Sequence, residues 1–142
     1  MRATIQFVLV ALSFISIAIN AEGIQSEAPA NAKVYFIAPT DGQTVSQTFT
    51  VVFGLSNMGI APAGSDIANT GHHHLLIDME SLPDLTQPLA TTDQIKHFGK
   101  GQTETELTLS PGKHTLQLVL GNFAHVPHKT PVISNKISVI VK

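Results

Sequence analysis

The sequence predicts an all-β domain, an immunoglobulin-like antiparallel sandwich of about seven strands preceded by a signal peptide. Three observations predict it. β-Branched and aromatic residues alternate with polar ones in short runs, Gly, Pro, Asn and Asp separate those runs, and no segment after the first two dozen residues carries a convincing helical repeat.

The first element is not part of the sandwich. Met1 and Arg2 supply a short positive end, Ile5 to Ile19 form an apolar core, and small residues follow at Ala18 and Ala21. That core is shorter than the roughly 20 residues a membrane-spanning helix needs, so residues 1–21 read as a signal peptide cleaved after Ala21, with Ala18 the alternative. Residues 22–32 have no hydrophobic period and read as a flexible lead, leaving 33–142 as the β-sandwich domain.

Strands are expected at 33–37, 48–56, 72–79, 103–110, 114–121 and 136–142, with PTDG (39–42) and SPGK (110–113) as turns. Parity places Phe49, Val51, Phe53 and Leu55 inward on the second of these, and Leu116, Leu118 and Leu120 on the fifth. In the third, Asp78 shares a face with His72, His74 and Leu76. A charge prefers water, so His72 and His74 are expected to point to solvent and His73 inward, at the rim of the core. Residues 80–100 hold Pro83 and Pro88 and read as a loop crossing or a weak edge strand.

Composition narrows the chemistry. A formal charge of −2 and a pI near 6.3 give no basic footprint for nucleic acid, and no membrane contact is expected once the signal is removed. The chain has no Cys, which excludes blue-copper sites, iron–sulfur clusters and thiol nucleophiles. A mature end at Glu22 or Ile19 would provide no N-terminal His, and no GxSxG, HExxH or phosphate loop is present. Glu104 and Glu106 read as a solvated strand face. The sequence therefore leans away from an enzyme.

What it has in excess is histidine, seven in all. In an immunoglobulin-like sandwich alternate interstrand loops gather at one end, and this would bring together every histidine except His114. Imidazole is the commonest ligand for copper and zinc, and two residues apart on a strand, His72 and His74 stand roughly 6.5 Å apart on one face, close enough to share an ion. The metal ligands expected are His72, His74, His97, His125, His128 and Met58, with Asp66 and Asp78 behind them. Copper is favoured because it binds most tightly among divalent first-row ions and Met58 would suit Cu(I), with zinc second. Because binding needs neutral imidazole, affinity is expected to fall as pH drops through about 6.5. His114 is set apart: PGKHTLQL is similar to the turn-and-strand motif in which many sandwiches place a Tyr that bonds back to the preceding turn.

NTGHHHLLID, HFGKGQTETEL and LSPGKHTLQLVLGNFAHVPH together resemble a family of small exported bacterial β-domains of uncharacterised function, over Lys33 to Lys142. The resemblance implies no activity, ligand or catalytic residue. The expectation from the residues is a periplasmic or secreted module that sequesters or hands over a metal ion. The alternative is a non-enzymatic module binding an envelope protein, peptide or glycan through the same loops.

Overall fold

A computed structural model describes residues 24–142; the expected signal peptide lies outside the described residues. Nine strands follow in order: β1 (Lys33–Ala38), β2 (Gln43–Val45), β3 (Thr48–Ser56), β4 (Gly59–Ile60), β5 (Thr70–Ile77), β6 (Ile95–His97), β7 (Glu104–Thr108), β8 (Gly112–Gly121) and β9 (Ile137–Val141). They form two sheets, β1-β3-β7 and β2-β9-β8-β5-β4, with β6 pairing on β5. Long sequence separations between neighbours give the crossed connections of an immunoglobulin-like sandwich, so the expected fold is the observed one. The main pairings are antiparallel, whereas the short edges β2 on β9 and β4 on β5 run parallel.

The sheets bury the residues that parity placed inward. Val51 and Phe53 of β3 meet Leu75 and Ile77 of β5 and Leu116, Leu118 and Leu120 of β8, with Phe49 and Leu55 half-buried at the edge. Burying such side chains is the main force holding two disulfide-free sheets together, at roughly 1.5–3 kcal/mol each.

The outer face of β5 departs from expectation. His72 and His74 are fully buried instead of facing water, and Leu76 is 1% exposed. Asp78 misled the parity argument because it lies beyond the end of β5, with a left-handed φ of 54°, so the alternation stops at Ile77. The segment after β5 folds back as a cover. Leu89 and Ile95 pack on Leu76 and Val119 in a second, smaller apolar cluster outside the sandwich core. Its end forms β6, the weak edge strand expected in 80–100, which pairs Leu76 with Ile95 and His74 with His97.

The segment read as a flexible lead is tied to the sandwich. Gln25 donates its side-chain amide to the carbonyls of Leu85 and Pro127, and the Lys129 amide donates to Ser26 O.

Candidate metal centre

β5 supplies His72 and His74 on one face because side chains two apart on a strand point the same way. β6 supplies His97 by direct cross-strand pairing with His74, not from an interstrand loop as expected. His125 comes from the turn after β8. One ligand atom from each of His72, His74, His97 and His125 lies within 4.8 Å of every other. Ring centroids lie between 4.5 Å (His97–His125) and 6.1 Å (His74–His125). A tetrahedral ion with nitrogen ligands at roughly 2.0–2.1 Å holds those nitrogens about 3.4 Å apart and the ring centroids about 5 Å apart. The four imidazoles thus stand near positions from which they could share one ion.

The hydrogen bonding says the same. His72 Nε2 and His125 Nδ1 are 3.2 Å apart, one N–H facing the other's lone pair. Both ring nitrogens of His74, Nδ1 of His72 and Nε2 of His97 are buried without a partner. Buried polar atoms are nearly always satisfied, so a concentration of orphaned imidazole nitrogens around one point marks a place for an ion or ordered water. Burial, reinforced by the neighbouring imidazoles, lowers the pKa of His72 to about 4 and of His74 to about 3, and His97 is lowered by the same causes. At neutral pH these three rings therefore keep the lone pairs a metal requires. The competition with protons expected near pH 6.5 is moved to lower pH for the two rings on β5.

Two glycines make room for the rings. A Cβ on Gly121 would come 2.6 Å from His74 Cε1, and one on Gly99 would overlap the His97 ring. Both are close-approach positions that only Gly fills.

Asn122 shapes the turn that carries His125. Its buried Oδ1 accepts from the amides of Ala124 and Val126, and its Nδ2 donates to Ile24 O at 2.7 Å. The backbone adds His125 N to Asn122 O and Asn122 N to Val126 O. His125 sits in this turn with φ of 65°, a conformation that persists only where surrounding bonds impose it. Sequence reasoning passed over Asn122; its signal was an Asn opening the His-containing turn NFAHVPH, where an Asx side chain can bond the backbone two residues on.

Two of the six expected ligands stand elsewhere. His128 is buried with its Nε2 donating to Thr70 O at 3.2 Å and is not among the four converging ligands. Met58 packs against the main apolar core. Of the carboxylates held in reserve, Asp66 is exposed, and Asp78 takes Nδ1 of His114 at 2.6 Å. His114 Nε2 donates back to Ser110 O at 2.9 Å, the structural role expected for it. His73 points inward as expected and lies against Phe53, with ring centroids 5.0 Å apart.

The cluster is reached from one side. His97 and His125 line a shallow cleft of about 380 Å³ whose other wall is Pro88, Leu89, Ala90 and Thr91. His72 and His74 lie behind them.

Residues 51–142 match a domain of unknown function (DUF4399). No curated protein matches the chain. Among solved structures it is similar to the fibronectin(III)-like modules of Clostridium thermocellum CbhA, at 13% identity and a TM-score of 0.37, over 76% of this chain and 92% of that one.

Proposed function

This chain belongs to the DUF4399 family, and we propose that it is an exported module that binds a transition-metal ion, copper first and zinc second, for sequestration or delivery in the periplasm or outside the cell. The observation that carries the reading is the convergence of His72, His74, His97 and His125, with at least one ring nitrogen of each of the first three buried and unpartnered. An all-imidazole set suits copper, zinc, nickel and iron, and the general affinity order favours Cu(II). With Met58 packed against the main core and outside the cluster, the thioether argument for Cu(I) falls away, and copper rests on that order alone. Export rests on the apolar run from Ile5 to Ile19.

Calorimetry of the purified protein with Cu(II), Cu(I) and Zn(II) tests the binding. One ion per chain is expected, with Cu(II) tightest and binding removed by His72→Ala combined with His74→Ala. Affinity no better than about 10 μM, or affinity indifferent to that double substitution, would sink the proposal. Cell fractionation with N-terminal sequencing tests export, the expected first residue being Glu22 or Ile19.

A further inference from the structure

The four converging side chains are all neutral donors. No carboxylate belongs to the cluster or hydrogen-bonds to its rings among the described residues. Ligating histidines elsewhere usually donate their second N–H to a carboxylate or carbonyl, which spreads the charge of the ion outward. Here the outer nitrogens of the two rings on β5 have no such partner. A divalent ion on four neutral imidazoles would keep its whole double charge inside a largely buried pocket, and an uncompensated buried charge is costly.

The compensation has one way in. His72 and His74 are fully buried and do not line the cleft, whereas His97 and His125 face it. That cleft is lined by Pro88, Leu89, Ala90 and Thr91 and contributes no charge of either sign. Whatever neutralises the ion must come from solvent, be small, and carry negative charge.

We infer that the loaded centre is also an anion receptor, taking one small monoanion as a further ligand through the cleft between His97 and His125. This rests on the metal-binding reading above and deepens it, because a centre with an exchangeable anion can pass its ion on through an incoming ligand or act on a small anionic substrate.

Azide is the probe, added to the Cu(II)-loaded full chain after metal analysis has established one copper per protein. A saturable azide-to-copper charge-transfer band is expected, with a matching change in the EPR spectrum and half-saturation at millimolar azide or tighter. Chloride and formate should compete with it. Ala90→Trp, at an exposed position on the cleft wall, should keep the copper and weaken azide at least tenfold. Stoichiometric copper whose spectra do not respond to azide would overturn this inference and leave the metal reading standing. Failure to hold copper at all would overturn both. An azide response that Ala90→Trp leaves unchanged in a copper-loaded protein would also overturn it, since the anion would then not enter by the cleft.

Discussion

His74 and His114 lie on paired strands of one sheet and live in opposite chemical states. His114 has a hydrogen-bond acceptor for each ring nitrogen, the Asp78 carboxylate and the Ser110 carbonyl, and its pKa is raised by the bond to Asp78 above all. His74 has no partner for either nitrogen, and burial takes its pKa to about 3. The difference separates two uses of one side chain. A histidine with both nitrogens satisfied is a strut between a turn and a strand end. Histidines gathered with nitrogens unsatisfied leave a debt that the protein alone does not discharge.

The comparison breaks most visibly in acid. For His72, His73 and His74 the folded pKa values, about 4, 4 and 3, lie below the ordinary 6.5. Their stability contribution is therefore complete above pH 6.5 and is lost as pH falls from there toward 4, because the unfolded chain takes up protons that the folded one refuses. Each ring contributes up to about 1.4 kcal/mol per pH unit in that window. Urea unfolding of metal-free protein should show the midpoint dropping steeply between pH 7 and pH 5, and His72→Ala with His74→Ala should flatten most of that slope. A midpoint unchanged across the window would show that the three rings are not held neutral by burial.

The sandwich was legible in the sequence because strand parity reports directly which residues meet across two sheets, as with Val51, Phe53, Leu116 and Leu118. The gathering of His72, His74 and His125 was legible because topology fixes which strand ends are neighbours, whereas His97 joins them by a cross-strand pairing that the loop argument did not contain. The burial of the site was not. It depends on Leu89 and Ile95 folding back over Leu76 and Val119, a contact between a loop without alternation and the outer face of a sheet, and neither half carries a periodic signal. Nor could spacing separate His125 from His128. Three residues apart in NFAHVPH, one joins the cluster from a left-handed backbone position and the other bonds Thr70 O, a difference that spacing does not carry.

That turn gives the next largest effect. Asn122→Ala removes the acceptor of two amides and the donor to Ile24 while leaving all four imidazoles in the chain. Loss of such an orienting residue typically costs ten- to a hundredfold in metal affinity, and that range is expected here. Asn122→Asp keeps the two accepted bonds and loses only the one to Ile24. If Asn122 acts by positioning His125, Asp should restore most of the copper affinity measured by calorimetry. Equal loss in both variants would assign the effect to the N-terminal segment instead.

The smallest effect belongs to the other member of the comparison and should leave the metal untouched. His114→Ala deletes two hydrogen bonds, one to a carboxylate, but the Asp78 side chain is 42% exposed and water screens the pair. A loss of about 1–2 kcal/mol is expected, seen as a fall in Tm of about 5 °C. The sign of its pH dependence is opposite to that of the buried cluster. With a raised folded pKa, the stabilisation by His114 is complete below pH 6.5 and fades as pH rises through the folded value, so the gap between His114→Ala and the unsubstituted protein should narrow between pH 6 and pH 9. Copper affinity should be the same in both. A gap that widens with pH would mean that the neutral ring, not the imidazolium, is what Asp78 and Ser110 hold.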